Sequence, residues 1–231
     1  MRPLYSQSLK RTVLVLKPGD YHATAKGEVL YTVVGSCIAA CIYDTQRTIG
    51  GMNHFMLPGL IHPDEMLTSE LGRYGMFAME LLIGELIKLG AKRKDLQAKL
   101  FGGGHVLKFR QRDGDITGSN IQFARKYMEL EGIPIVKQDL GGTVARKVLF
   151  FSDSFRVLMK RIEVHVSDRL LQEEQVYRSK VFEKPSEPQA VFMFDQMGVA
   201  NRSERHEHHD QSADSKGWLG ETANREDSSQ G

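Results

Sequence analysis

The residues Gly35, Ser36 and Cys37 offer the clearest candidate for covalent chemistry in the chain. The thiolate form of cysteine is the nucleophile, and a free cysteine is mostly thiol at neutral pH. A reactive cysteine therefore needs a base or a positive partner within hydrogen-bond reach. His54 is the first histidine after Cys37. A Cys37 and His54 pair would be suited to nucleophilic attack on a carbonyl carbon.

The residues just before the thiol could support such an attack. Gly35 and Ser36 lie where one apolar segment ends and another begins. A Gly-Ser pair permits a tight backbone whose amides can point toward a developing oxyanion. Gly35 and Ser36 are therefore candidate oxyanion or substrate contacts, and the Ser36 hydroxyl could contact the base or a substrate amide.

A hairpin would bring His54 back toward Cys37. Residues Ile38 to Tyr43 and Thr48 to Leu57 are apolar segments of strand length, separated by the turn-like Asp44 to Arg47. Counting across this turn places the partner of Cys37 near Phe55, one residue from His54 and within the error of the register. The sequence alone does not fix the register of the pairing.

A structural interpretation of the same residues stays open. An unpaired cysteine in an apolar segment is commonly a small buried hydrophobe. Cys41 fits that description, because an extended strand separates its Cα from that of Cys37 by ~13 Å, too far for a disulfide. The spacing of Cys37, Cys41, His54 and His62 matches no structural zinc site, so no metal is expected.

Two segments have helical periodicity. Arg73 to Leu89 places apolar residues on one face and ends at Gly90, and a second helix is predicted from an N-cap at Asn120 to Gly132. Further strand-length segments rich in Val, Ile and Phe complete the chain: Val13 to Leu16, Val29 to Val34, Gln97 to Phe101, Ile133 to Gln138, Val148 to Phe151 and Arg156 to Arg161. Many strands with two helices favour an α/β fold, a layered mixed β-sandwich.

Composition limits the functional classes. The 231 residues are 41% hydrophobic and 26% charged, and no apolar segment approaches the ~20 residues of a membrane helix. Two cysteines and no signal-peptide pattern favour the cytoplasm. The net charge of +2, without a basic block, gives no support for nucleic-acid binding. Residues 1–182 are predicted to form one domain, and 183–231 a polar, disordered tail with a histidine cluster.

Several ordered motifs resemble the CheD family. They are TVVGSCIAACIYD, GGMNHFMLP, RYGMFAMELLI, KLFGGGHVL, the Gly118-x-Asn120 turn, and Asp139-x-Gly141-Gly142 with Arg146. The resemblance extends over about residues 10 to 162. A match to all these motifs in order is far more specific than a match to any one of them.

The resemblance implies a chemoreceptor glutamine deamidase that tunes chemotaxis signalling. Its active site would contain Cys37 as the nucleophile, His54 as the base and Thr32 as the third member. The fold would be similar to that of the Rho-deamidating bacterial toxins. The reaction would convert receptor glutamine to glutamate through a thioester and release ammonia, without a cofactor. The receptor's cytoplasmic domain would be the substrate, and a CheC-type phosphatase a further partner.

Glycines near these motifs are expected to let loops approach the active site closely. They are Gly102 to Gly104, which lack the ending of a phosphate-binding loop, and Gly141 with Gly142. His105 is a weaker second candidate base, and Asp139 with Arg146 is expected to form a structural ion pair. The alternatives are a catalytically inactive binding protein and a cysteine protease or transglutaminase-like enzyme.

Overall fold

The described part of the chain contains ten β-strands and two α-helices. The computed structural model describes residues 2–57, 59–60, 65, 68–106, 115–162, 172, 176–177 and 179. In spatial order, the first sheet contains β1 (Arg2–Ser6), β2 (Arg11–Val15), β4 (Val29–Val34), β9 (Ala145–Phe151) and β10 (Val157–Ile162). The second sheet contains β3 (Tyr21–Thr24), β6 (Ile49–Phe55), β5 (Ile38–Asp44), β7 (Leu96–Gly102) and β8 (Ile135–Leu140). The helices are α1 (Glu70–Lys88) and α2 (Ile116–Leu130).

These elements form three layers, with the second sheet in the middle. Strand β5 is buried along its whole length. Its alternate residues Ala39, Cys41 and Tyr43 pack in a core shared with the first sheet. The residues between them, such as Ile42, pack against α1 and α2. Because both faces of β5 are covered, its sequence is almost continuously apolar. The predicted α/β layered mixed sandwich with two helices is confirmed.

The first helix agrees with its prediction, and the start of the second does not. Helix α1 begins three residues before the predicted Arg73, after an N-cap at Ser69 whose side chain accepts a hydrogen bond from the Gly72 amide. Helix α2 is capped by Asp115, which accepts from the Gly118 amide at 2.8 Å. The predicted cap at Asn120 is therefore wrong, and Asn120 lies fully buried inside the helix.

The predicted strands all occur, with ends that differ by at most three residues, and β4 has the predicted bounds. Strands β1 and β3 were missed. Strand β1 contains Pro3 and pairs with β2 alone, and β3 has four residues and pairs with β6 alone. Both lie at sheet edges, where short, polar or proline-containing strands are common and apolar alternation is weak. The predicted tail, 183–231, lies outside the described residues.

None of the helices in the described residues is long and apolar enough to cross a membrane.

Two glycines of α1 provide a matched test of helix packing. A Cβ at Gly75 would lie 2.5 Å from Phe123 Cζ and 2.8 Å from Leu57 Cδ2, whereas a Cβ at Gly84 would have no neighbour within 4 Å. Ala has higher helix propensity than Gly by about 1 kcal/mol, but overpacking a core costs about 1–3 kcal/mol. We expect Gly75→Ala to lower the free energy of unfolding and Gly84→Ala to raise it by up to about 1 kcal/mol, as measured by urea denaturation. Equal stabilisation by both would contradict this packing.

Candidate active site

Cys37 lies in the bend that carries the chain from the first sheet to the second. Strand β4 ends at Val34 and β5 begins at Ile38. The Cys37 carbonyl accepts a hydrogen bond from the Gly103 amide at 2.8 Å, and the Gly35 carbonyl accepts one from the Gly104 amide at 2.6 Å. The loop after β7 therefore fixes the backbone on both sides of Ser36. Cys37 is fully buried in the core between the two sheets.

The predicted hairpin of β5 and β6 occurs, with a register shifted by one residue. Phe55 pairs with Ile38, and His54 pairs with Ala39. Continued by one residue, this register sets Met56 opposite Cys37, one residue from the predicted position near Phe55. The shift matters because it moves every side chain to the opposite face. In the observed register His54 lies on the same face as Ala39 and is a diagonal neighbour of Cys37, facing the first sheet.

Thr32 of β4 contacts His54 across the space between the sheets. The Thr32 hydroxyl Oγ1 lies 2.7 Å from His54 Nδ1 and donates to the Leu16 carbonyl at 2.9 Å. A hydroxyl has one proton, so an Oγ1 that donates to Leu16 can only accept from Nδ1–H. This arrangement selects the tautomer with the proton on Nδ1. His54 Nε2 is then an unprotonated nitrogen that can accept a proton.

The environment of His54 keeps the imidazole neutral. His54 is 1% exposed, and its Nε2 atom is buried without a hydrogen-bond partner among the described residues. Burial lowers the His54 pKa to about 3, although the Leu16 carbonyl acts in the opposite direction. Buried polar atoms usually have partners, and an exception calls for an explanation such as a catalytic role. Nε2 has the properties that a general base requires, because it is unprotonated and has no hydrogen-bond donor among the described residues.

The structure thus brings together Thr32 and His54 and places Cys37 on the same face of the second sheet as His54. Ser36 and Gly35 are in the same bend as Cys37, and the Ser36 hydroxyl donates to the Met56 sulfur at 3.8 Å. The sequence analysis singled out all five positions, and Thr32 came from the family resemblance. Their chemical roles stay predictions at this point.

The other candidates are less suited to catalysis. Cys41 is fully buried in mid-strand, and burial raises the pKa of its thiol despite the opposing effect of Lys99. His105 is half exposed, and its Nε2 lies 3.7 Å from Asp115. Within the described residues, no cluster of three or more His, Cys, Asp or Glu side chains could hold a metal ion.

The glycines after β7 approach the Cys37 bend as closely as expected. Gly102 has a φ of +120°, and a Cβ at this position would overlap the Cys37 carbonyl oxygen. The Gly141 amide donates to the Gly102 carbonyl at 3.0 Å, which connects the second glycine pair to the same loop. A side chain at Gly102 would displace the backbone at Cys37.

The predicted ion pair of Asp139 and Arg146 is also present. Arg146 is 2% exposed and donates from Nε to Asp139 at 2.7 Å. It also donates to the Gly141 carbonyl at 2.5 Å and to the Val144 carbonyl at 2.9 Å. The guanidinium therefore organises the Gly141–Gly142 turn. Its hydrogen bonds go to the Asp139 carboxylate and to backbone carbonyls, in agreement with the structural role assigned from the sequence.

Sequence reasoning missed two residues that hold the site. The Leu16 carbonyl is invisible to any motif, because its contact is made by the backbone. Asn120 was taken for a helix cap, but its side chain donates to the Ser36 carbonyl at 3.0 Å. An asparagine within a helical segment was a usable signal, since Asn is a poor helix former whose side chain competes for backbone hydrogen bonds.

A cavity of about 210 Å³ extends along α1 to His54. Tyr74 and Tyr177 contribute to its lining, and their hydroxyls are hydrogen-bonded to each other. Burial raises the pKa of both phenols.

The buried imidazole predicts a pH-dependent stability. The pKa of His54 rises from about 3 in the folded state to about 6.5 in the unfolded state. Between these values only the unfolded state binds the proton, so stability is complete above about pH 6.5 and is lost as pH falls. We expect the loss to approach 1.4 kcal/mol per pH unit, about the limit for one group. Urea denaturation of wild type and His54→Asn should show a stability difference that narrows on acidification, whereas a constant difference would contradict a neutral buried His54.

Comparisons with known proteins identify the family of the chain. The family model described as CheD chemotactic sensory transduction matches residues 56–161. A protein of Laribacter hongkongensis named "Probable chemoreceptor glutamine deamidase CheD" is 41% identical over 186 residues, 80% of this chain and 89% of the relative. A protein of Shewanella oneidensis named "Probable chemoreceptor glutamine deamidase CheD 1" is 39% identical over 182 residues, 79% of this chain and 88% of the relative.

A solved structure, Neisseria meningitidis protein NMB0706, has a TM-score of 0.43 and 11% identity, and covers 63% of this chain and 77% of its own. That similarity is too low to bear on function. The relatives named above align with this chain over nearly nine-tenths of their own length, and about two in five of the aligned residues are identical. The chain belongs to the CheD family.

Proposed function

We propose that this protein deamidates glutamine side chains in the cytoplasmic part of chemotaxis receptors, converting them to glutamate. The observation that carries the proposal is the hydrogen bond between Thr32 Oγ1 and His54 Nδ1 at 2.7 Å. It leaves Nε2 free to accept a proton on the sheet face that His54 shares with Cys37. The relatives are named as chemoreceptor glutamine deamidases, and those names supply the substrate class.

The first half of the reaction forms a thioester. His54 Nε2 removes the proton from Cys37 Sγ while the sulfur attacks the carboxamide carbon of the glutamine. The resulting tetrahedral oxyanion is stabilised by backbone amides near Ser36 and Cys37. On collapse the C–N bond breaks, and the proton held by His54 goes to the nitrogen, which leaves as ammonia.

The second half hydrolyses the thioester. Water attacks the carbonyl carbon while His54 Nε2 accepts one of its protons. The C–S bond then breaks, glutamate is released, and the proton returns from His54 to Cys37. The residues finish in their starting protonation states. The chemistry needs no cofactor.

The neutral imidazole decides how the thiol is activated. A burial-lowered pKa means that the resting His54 carries no positive charge. It therefore does not hold a preformed thiolate by ion pairing. The proton moves as the sulfur attacks, and the imidazolium exists only while a negative sulfur or oxyanion compensates its charge.

Substrate entry requires a path to buried groups. Cys37 is fully buried and His54 is 1% exposed. The cavity that reaches His54 along α1 supports an entrance between Tyr74 and the second sheet. The adjacent Phe77, 59% exposed, provides an apolar contact for the receptor surface beside the entering glutamine.

Two further expectations stay predictions: association with a CheC-type phosphatase, and a cytoplasmic location.

The direct experiment for the reaction itself uses receptor cytoplasmic fragments that carry glutamine at their modification sites. Incubation with the full chain should raise the mass of the fragment by the difference between an acid and an amide for each modified site. It should also release an equal amount of ammonia. Intact mass and ammonia unchanged by the wild-type chain would reject the proposal.

The two cysteines allow a matched test of the nucleophile. We expect Cys37→Ala to abolish ammonia release, because no thioester can form. Cys41→Ala should keep activity within a few-fold of wild type and lower the free energy of unfolding by about 1–2 kcal/mol, because it removes a buried sulfur from the core. Both variants are compared by ammonia release and urea denaturation. An inactive Cys41→Ala with an active Cys37→Ala would reverse the assignment.

A second pair of variants tests the hydrogen bond to His54. Thr32→Val keeps the side-chain shape and removes the acceptor for Nδ1–H, so the imidazole can adopt the wrong tautomer. We expect kcat to fall by roughly 10²-fold or more, by analogy with loss of the orienting group of a catalytic triad. Thr32→Ser retains the hydroxyl and should keep most of the activity. Equal kcat values for the two variants would show that the hydroxyl has no role in turnover.

A further inference from the structure

Asn120 is a buried polar side chain with no role in the proposed reaction. It lies in the second turn of α2, beyond the cap at Asp115, and is fully buried. Asn is a poor residue for a helix interior, because its amide competes with the helix for hydrogen bonds. Its presence here is therefore explained by its side-chain partners rather than by helix formation.

Both ends of the Asn120 amide bind backbone outside the helix. Oδ1 accepts from the Leu57 amide at 2.7 Å, and Nδ2 donates to the Ser36 carbonyl at 3.0 Å. The partners fix the orientation of the group, because a backbone N–H only donates and a carbonyl only accepts. Ser36 immediately precedes Cys37, and Leu57 lies three residues after His54. One planar group therefore spans the two chain segments that carry the dyad.

The Gly103 and Gly104 amides hold the carbonyls of Cys37 and Gly35, so they fix the bend to the loop after β7. The Ser36 hydroxyl also reaches the segment after β6 through the Met56 sulfur, a weak acceptor, at 3.8 Å. The Asn120 side chain joins the backbone of the bend to the backbone of that segment through two shorter bonds. The hairpin register aligns β5 with β6 up to Ile38 and Phe55, and Cys37 comes just before that pair.

We infer that Asn120 is a positioning residue that sets the placement of Cys37 relative to His54. The inference rests on the proposed roles of those two residues. Asn fits the requirement because it offers a donor and an acceptor in one short rigid group. An ionised Asp has no donor for the Ser36 carbonyl, and Ala has neither group. Misplacing reacting groups by about 1 Å can cost about 10²-fold in rate.

The test compares Asn120→Asp and Asn120→Ala with Tyr127→Phe in the full-length chain. Tyr127→Phe removes another side-chain hydrogen bond of α2, the partly buried one from the Tyr127 hydroxyl to Glu80, at the contact between the helices. We expect kcat for receptor-fragment deamidation to fall about tenfold to a hundredfold in the Asn120 variants, with KM within a few-fold of wild type. Tyr127→Phe should keep the wild-type kcat. Circular dichroism at the assay temperature identifies variants that are folded, and the isosteric Asn120→Asp serves if Asn120→Ala is not.

The outcomes separate this inference from the proposed function. A wild-type kcat in the folded Asn120 variants, with Cys37→Ala inactive, would overturn the positioning role alone. An equal fall in kcat for Tyr127→Phe would do the same, because it would indicate general loosening of α2. An active Cys37→Ala would overturn the proposed dyad and the inference with it.

Discussion

The hydrogen bond between Thr32 and His54 is the interaction on which the candidate site depends. This bond joins Thr32 of the first sheet to His54 of the second. Thr32 donates its single hydroxyl proton to the Leu16 carbonyl and therefore accepts from His54. The consequence is a defined tautomer with Nε2 available. With a partner on β4 that could not accept from Nδ1–H, His54 would still be buried, but the position of its ring proton would not be fixed. In the proposed reaction, the core between the sheets therefore orients the base in addition to stabilising the fold.

Burial has opposing consequences at this site. Removing His54 from water lowers its pKa to about 3, and a positive imidazole is then unfavourable unless a negative charge forms beside it. The same low-dielectric surroundings strengthen the interaction between a transient imidazolium and a developing oxyanion. A site of this kind favours the simultaneous formation of one positive and one negative charge. It also lowers the stability of the fold in acid, because the unfolded chain can take up the proton that the folded chain excludes.

The fold divides the task between side chains and backbone. The two sheets orient Thr32 and His54, because adjacent residues of a strand face opposite sides and the register decides which side. The bend at Cys37 lies beyond the strand pairing, and its backbone is held by the loop after β7 and by Asn120. Close approach of that loop requires glycine at Gly102, where a side chain would overlap the Cys37 carbonyl.

The sequence by itself indicated the layered α/β class, most strands, both helices and, through the family resemblance, Thr32, Cys37 and His54 as candidate site residues. Hydrophobic periodicity and ordered motifs are local signals, so they survive without coordinates. The tertiary structure decided the one-residue register of β5 and β6, the tautomer of His54 through Leu16, and the burial of Asn120. Each of these depends on contacts between segments far apart in the chain. Local patterns contain no record of such contacts, since pairing register and hydrogen-bond partners are set by packing across the sheets and helices.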